Sequence, residues 1–243
     1  MLNIVIPMAG AGTRFSEAGY LDPKPLISVN GVPMIELVVK NLTPSVDHRF
    51  IFIVQENHYQ VYELEQLLNR ITRNPIIVLI NGITEGAACT VLKASVHINN
   101  SDQLMIANSD QYLECDINKY LDSSFVDGLI MTMRASGKKW SYLKTDHSGL
   151  VTEVAEKREI SEIATVGIYN FRHGSLFVQS AREMINCDDR VNGEFYVAPV
   201  YNYLIDNNYK VAHYSIGESG QAMFGLGTPE DLNYFLDRFG NKL

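Results

Sequence analysis

The chain opens on Leu2-Asn3-Ile4-Val5-Ile6, an apolar run closed by Pro7 and followed by Met8-Ala9-Gly10-Ala11-Gly12-Thr13-Arg14-Phe15. A short apolar, β-branched run that ends in small residues predicts a buried strand feeding a tight loop. In an open parallel sheet, ligands bind beyond the carboxyl ends of the strands, so this loop stands where a ligand would. Ala9, Gly10, Ala11 and Gly12 let the backbone approach a triphosphate and turn N–H groups, that of Thr13 included, toward it. The loop lacks the last glycine of a dinucleotide fingerprint, because Phe15 stands there, and it lacks the Gly-Lys-Ser/Thr of a Walker loop. Taken alone it also reads as a plain strand-exit turn.

Outward from this loop, strand and helix signals alternate. Met34–Leu42 is apolar at helical spacing, and Phe50–Val54 reads as a buried strand. Residues 57–72 place Val61, Leu64, Leu68 and Ile71 on one stripe, which predicts a helix started by Asn57 or Gln60. Pro75–Ile80 and Gln103–Ala107 read as strands, with a helix over Gly86–His97 between them. Such alternation predicts a mostly parallel central sheet covered on both faces, a three-layer α/β/α sandwich. The second half is more mixed. Gly128–Met133, Ala164–Phe171 and Tyr209–Ser215 read as strands, and Ser141–Lys144 with Leu150–Val154 as a hairpin. Helices are expected near 174–186 and from Pro229. The reading is one α/β domain over residues 1–243, with a nucleotide-binding half to about residue 125 and an acceptor-binding half, carrying a β-rich lid, from about 126.

Composition narrows the function classes. With 243 residues, 46% hydrophobic and 20% charged, the chain is an ordinary globular one, able to bury roughly 70–75% of its unfolded surface. Lys and Arg total 20 against 28 acids, a net charge of -8, which argues against a polyanionic partner such as nucleic acid. No apolar run reaches the ~18 residues of a membrane helix, and the amino terminus lacks the basic region of a secretory signal. Three scattered cysteines fit reduced thiols, so a cytoplasmic location is expected. Self-association is left open.

Ten residues after Arg14 comes Pro23-Lys24-Pro25-Leu26. Prolines on both sides predict an extended, stiff backbone that presents Lys24 rigidly. A cation so held suits phosphate oxygens that gain charge during phosphoryl transfer; a surface loop lysine is the plain alternative. Gly10-Ala11-Gly12-Thr13-Arg14 with Pro23-Lys24-Pro25-Leu26 resembles the signature of the sugar-1-phosphate nucleotidyltransferases, the pyrophosphorylases that make nucleotide-sugars. The joint spacing is specific, and the resemblance extends over roughly residues 3–236.

The resemblance implies a Rossmann-like nucleotidyltransferase fold, related to that of GT-A glycosyltransferases, and roles for further residues. Glu85-Gly86 would lie at the nucleotide. Asp110 in Asn108-Ser109-Asp110 would hold Mg²⁺, and Arg14 and Lys24 would hold the triphosphate. Lys157 in Val154-Ala155-Glu156-Lys157 would meet the acceptor's phosphate. Gly167, in Gly167-Ile168-Tyr169, would border the acceptor, and Glu194 of Gly193-Glu194 would take its hydroxyls. Two positions depart from the family pattern. Gly82 stands where many members carry a glutamine, and Gly225 where many carry a second metal-binding aspartate. Thr228-Pro229-Glu230-Asp231 reads instead as a helix start, with Thr228 as cap. The expected activity joins an NTP to a sugar 1-phosphate, or to a phosphorylated alcohol such as phosphocholine, for surface polysaccharide precursors. A GT-A-type glycosyltransferase and a non-catalytic nucleotide-sugar-binding module are the alternatives.

Overall fold

The computed structural model describes residues 1–123 and 126–240. Strands and helices alternate through the first half as β1 (Leu2–Pro7), α1 (Thr13–Glu17), β2 (Ser28–Val29), β3 (Val32–Pro33), α2 (Met34–Leu42), β4 (His48–Gln55), α3 (Glu56–Val61), α4 (Leu64–Ile71), β5 (Ile76–Ile80), α5 (Ala87–Leu92), α6 (Ser95–Ile98) and β6 (Gln103–Ala107). The remainder comprises β7 (Gln111–Leu113), α7 (Ile117–Asp122), β8 (Gly128–Arg134), β9 (Ser141–Thr145), β10 (Val151–Glu156), β11 (Ile163–Phe171), α8 (Gly174–Asn186), α9 (Val200–Asp206), β12 (Val211–Glu218), β13 (Met223–Gly225) and α10 (Pro229–Phe239).

Nine of these strands form one sheet. At its centre β1 runs parallel to β4 on one side and β6 on the other, with Ile4 opposite both Phe50 and Met105. β4 continues in parallel to β5. Beyond β6 the direction reverses at β11 and reverses back at β8: β11 is antiparallel to both β6 and β8, and β8 then pairs in parallel with β12. The β9–β10 hairpin joins through Ala164 opposite Tyr142. Except for β13, which pairs with β7 in a separate two-stranded sheet, the second-half strands thus belong to the same sheet as the first.

Side-chain alternation along β1 shows why the sheet is covered on both faces. Val5 packs with Ile51, Ile106, Val91 and Phe177 on one face. Ile4 and Ile6 pack with Phe52, Met105, Val38 and Leu68 on the other. The three-layer α/β/α arrangement follows. A third cluster joins Phe15 just beyond the first loop to Met34, Phe224, Leu232 and Phe235, docking α10 at the sheet's carboxyl edge.

Three local expectations need correcting. The helix expected over 57–72 is two helices, α3 and α4, separated at Glu63 with φ 48. The break swings Leu64 and Leu68 into the core with Tyr59 and Tyr62 packed beside them, and leaves Val61 72% exposed. Asn57 and Gln60 do not cap it; the residue before α3 is Gln55, which makes no side-chain cap. The helix expected over 86–97 likewise divides, at Lys93–Ala94, into α5 and α6, and at the end of α6 a Cβ on Gly174 would strike the Ile98 carbonyl. Finally, Lys24 is not in an extended stretch. It opens a single 3-10 turn, Lys24–Leu26, closed by the Leu26 N–H donating to the Pro23 carbonyl at 2.8 Å. Burial of Pro25 and Ile27 beneath that turn overrides the extended preference of a residue before proline. The expected division of the chain near residue 125 falls at Ser124–Phe125, outside the described residues.

Candidate active site

Because β1 and β6 are parallel neighbours in register, with Val5 opposite Ile106, the loops that follow them emerge side by side. The glycine-rich loop leaves β1, and Asn108-Ser109-Asp110 leaves β6. Gly12 takes φ 63, a left-handed conformation that glycine adopts without strain, and α1 begins at the next residue. A Cβ on Gly12 would sit 3.4 Å from Cβ of Lys24, so the loop lies directly against the lysine turn. Gly10 faces open space, and Ala9 is buried at the loop's root. Underneath, the buried Gln55 amide donates to the Ala9 carbonyl at 2.8 Å and to the Gly82 carbonyl at 2.9 Å, tying this loop to the turn after β5. Gln55 carried no signal in the sequence, where it ends an apolar run like any strand-terminal polar residue.

Across this loop Nζ of Lys24 donates to Oδ2 of Asp110 at 2.8 Å, with both side chains about one-quarter exposed (25% and 23%). Asp110 is held in turn by its carbonyl, which accepts from the Leu226 N–H at 2.8 Å. The segment after β13 that bears Leu226 passes so close that a Cβ on Gly227 would lie 2.5 Å from Asp110 Oδ2. Arg14 stands two residues beyond the Gly12 contact, on the first turn of α1, exposed and without an ion pair among the described residues. The structure therefore joins Lys24, Asp110 and the glycine loop directly and leaves Arg14 at their rim.

The fit to magnesium rests on Asp110. Among the described residues no three His, Cys, Asp or Glu side chains gather as a metal cluster. One carboxylate suits Mg²⁺, which is commonly held by one or two acids with the rest of its shell from substrate phosphates and water. At Gly225 a Cβ would lie 3.3 Å from Oδ2 of Asp231, so the side-chain space there already faces a carboxylate. Asp231 also takes part in the start of α10, where its N–H donates to Thr228 Oγ1 at 3.1 Å.

The remaining expected site residues lie along β10, β11 and the 190s loop. Lys157 follows Glu156 at the end of β10 and has φ 53, unusual for a long side chain; its N–H donates to the Trp140 carbonyl at 3.0 Å. Its ammonium donates to the Tyr196 hydroxyl and lies 4.5 Å from the centre of that ring. Glu156 accepts from the Ser141 hydroxyl. Burial pushes the Glu156 carboxyl above its ordinary value, and nearby Glu194 adds to this, while Ser141 and Lys157 pull the other way. Gly167 has φ 80 and a specific packing reason to be glycine: a Cβ would collide with the side-chain amides of Asn108 and Gln111. Its carbonyl accepts from the Asn108 N–H at 3.1 Å. Gly167 thereby fixes the loop that carries Asp110.

Glu85 and Gly86 are engaged within the protein. The Glu85 carbonyl accepts from the Phe195 N–H at 2.8 Å, and the Phe195 carbonyl from the Ala88 N–H at 3.0 Å. A Cβ on Gly86, whose φ is 133, would collide with the Phe195 backbone. Arg190 straps this junction: it pairs with Glu85 Oε2 and Asp188 Oδ1, each at 2.5 Å, and lies 4.1 Å from the centre of the Phe195 ring. The turn expected at the nucleotide is thus hydrogen-bonded to the segment that carries Glu194. Neither Arg190 nor Tyr196 was legible beforehand, because each acts through a partner distant in sequence.

Residues 4–210 match the family model described as Nucleotidyl transferase. Among curated proteins, the chain is 23% identical over 175 residues to the bifunctional protein GlmU of Methanococcus aeolicus, covering 71% of this chain and 40% of that protein. It is 40% identical over 78 residues to the 2-aminoethylphosphonate cytidylyltransferase of Lancefieldella rimae, covering 32% of this chain and 29% of the relative. The matched stretches thus span less than half the length of these relatives. Among solved structures, the nucleoside-diphosphate-sugar pyrophosphorylase of Vibrio cholerae superposes with a TM-score of 0.80 at 25% identity, covering 96% of this chain and 99% of that one. Among the described residues no helix is long and apolar enough to cross a membrane.

Proposed function

Because the chain belongs to the nucleotidyl transferase family, we propose that it joins an NTP to a phosphorylated acceptor, a sugar 1-phosphate or a related phosphorylated compound, and releases pyrophosphate. The observation that carries this reading is the Lys24–Asp110 pair beneath the glycine-rich loop. A phosphate oxygen of the acceptor attacks the α-phosphorus of the NTP, forming one P–O bond, while the bond to the β-phosphate breaks and its electrons leave with pyrophosphate. That nucleophile is ionised at neutral pH, so no general base is required, and catalysis is positioning plus charge stabilisation.

In this scheme the Gly10, Ala11, Gly12 and Thr13 backbone amides and the Arg14 guanidinium hold the triphosphate. Lys24 follows the charge that builds on the reacting phosphates. Mg²⁺ on Asp110 would supply further neutralisation of phosphate charge. Glu85 and Gly86 border the nucleotide, while Lys157 binds the acceptor's phosphate, with Gly167 and Glu194 beside it. A product of this kind, made in the cytoplasm, would feed surface polysaccharide assembly.

The test is a matrix of NTPs against phosphorylated acceptors, scored for pyrophosphate with and without Mg²⁺. The similarity to a 2-aminoethylphosphonate cytidylyltransferase motivates including CTP and aminoalkyl phosphonates beside the hexose 1-phosphates. Magnesium-dependent release with one pair supports the reading. Gly225, which offers no side chain to a metal, favours a second reading, a binding module without turnover. Ligand binding with no release from any pair would establish that instead.

A further inference from the structure

Lys157 is held in an unusual way. Its φ of 53 is one of seven positive values among the described non-glycine residues, a left-handed conformation that ordinary side chains rarely adopt. The Trp140 carbonyl fixes its N–H. The Glu156 carboxylate is next in sequence and Glu194 lies near enough to raise it, yet among the described residues Lys157 forms no ion pair with either. Its ammonium instead meets the Tyr196 hydroxyl and lies 4.5 Å from the centre of that ring. Lys24, by contrast, is charge-paired to Asp110.

A neutral oxygen orients an ammonium without cancelling its charge, so the cation stays available to an incoming dianion. Tyr196 accepts from Lys157 through a lone pair, and its own O–H has no acceptor among the described residues. The phenol is itself well anchored. The preceding Phe195 is hydrogen-bonded through both N–H and carbonyl to Glu85 and Ala88 and lies beneath Arg190.

We propose that Tyr196 completes the anion site built on Lys157, orienting the ammonium and donating its phenolic O–H to the phosphate of the bound acceptor. The proposal rests on the acceptor-phosphate role given to Lys157 above, and assigns to Tyr196 a part that the sequence did not suggest. Lys157 and Tyr196 then form a two-point grip: one charged donor, and one neutral donor on the oxygen that positions it. A phosphate or phosphonate fits such a grip, and a carboxylate-free hydroxyl compound does not.

Tyr196→Phe keeps the ring and removes only the hydroxyl, so the fold and the cation–ring contact are retained. Inorganic phosphate is titrated into protein labelled at lysine Cε, and the Lys157 signal, assigned with Lys157→Arg, is followed by NMR. The wild type should show a phosphate-dependent shift at Lys157, and the variant should bind phosphate about 5–30-fold more weakly, the scale of one hydrogen bond to a charged group. In turnover assays the acceptor KM should rise by a similar factor, with the KM for NTP unchanged and kcat altered less than about threefold. Equal phosphate affinity in wild type and variant, or no response of Lys157 to phosphate, overturns the proposal. Absence of pyrophosphate release together with Tyr196-dependent phosphate binding would overturn the nucleotidyl-transfer reading while leaving the anion site in place.

Discussion

Lys24 and Asp110, 86 residues apart in sequence, meet at 2.8 Å where the loops after β1 and β6 converge. Parallel pairing sets the loops after β1 and β6 side by side, and the packing of the Lys24 turn against Gly12 of the first loop brings the lysine within reach of Asp110. Under the proposed function the pair would exchange partners: an incoming triphosphate would give the ammonium a stronger partner, and the carboxylate would become free for a cation. Lys24→Ala should therefore lower turnover by about 10²–10³-fold, the scale of one preorganised donor to developing charge. Its thermal unfolding should be nearly unchanged, because an ion pair about one-quarter exposed contributes little to stability. Wild-type turnover in folded Lys24→Ala protein would remove Lys24 from the mechanism.

Gly167→Ala should be severe. The φ of 80 disfavours any side chain, and the added methyl would collide with the Asn108 and Gln111 amides. Left-handed strain and overpacking together predict a loss of about 2–4 kcal/mol in urea unfolding. Gln111 is itself buried, and its Oε1, which has no hydrogen-bond partner among the described residues, would lie 2.6 Å from the added methyl. A loss under about 1 kcal/mol would show that the β6 loop is more adaptable than its contacts indicate.

Glu156 supplies a pH-dependent prediction. Its carboxyl is raised above 4.5, first by burial, so the native state binds that proton more tightly than the unfolded chain does. The stability so contributed is fully present below the unfolded value and is lost as pH rises through the folded one. Glutamine cannot ionise, and its carbonyl can still accept from Ser141. The melting temperature of Glu156→Gln should therefore match wild type near pH 4 and exceed it at pH 7 to 8. A variant less stable at pH 7 than at pH 4, relative to wild type, would contradict this.

Arg190→Gln should loosen the junction between the Glu85–Gly86 turn and the Glu194 segment. Arg190 is 30% exposed and its partners Glu85 and Asp188 are 65% and 74% exposed, so the stability change should be modest, below about 1.5 kcal/mol. Hydrogen exchange at the Phe195 and Ala88 amides should nevertheless quicken by about 3–10-fold. Unchanged exchange at both amides would show that the backbone bonds alone hold the junction.

Much of this was legible in sequence because it is local. Apolar periodicity located β1, α2, β4, β6, α8 and the β9–β10 hairpin, and Thr228-Pro229-Glu230-Asp231 located the start of α10, where Thr228 caps Asp231 as its side chain permits. What escaped depends on partners far along the chain. The break at Glu63 answers to the pull of Leu64 and Leu68 on the core, which no stripe pattern contains. The 3-10 turn at Lys24 answers to burial of Pro25. Lys24, Asp110 and Lys157 were singled out because short motifs resemble those of a family. Gln55, Gln111, Arg190 and Tyr196 were missed because each is an ordinary residue in sequence whose importance comes from what it touches.

The most direct test is a double-mutant cycle on pyrophosphate release, comparing wild type, Lys24→Ala, Asp110→Ala and the double variant with a productive substrate pair in Mg²⁺. Groups that act on one triphosphate are non-additive, so the double variant should fall no more than about tenfold below the weaker single variant. Losses that multiply in full, or wild-type release from either folded single variant, would mean that the two residues do not serve one reaction centre.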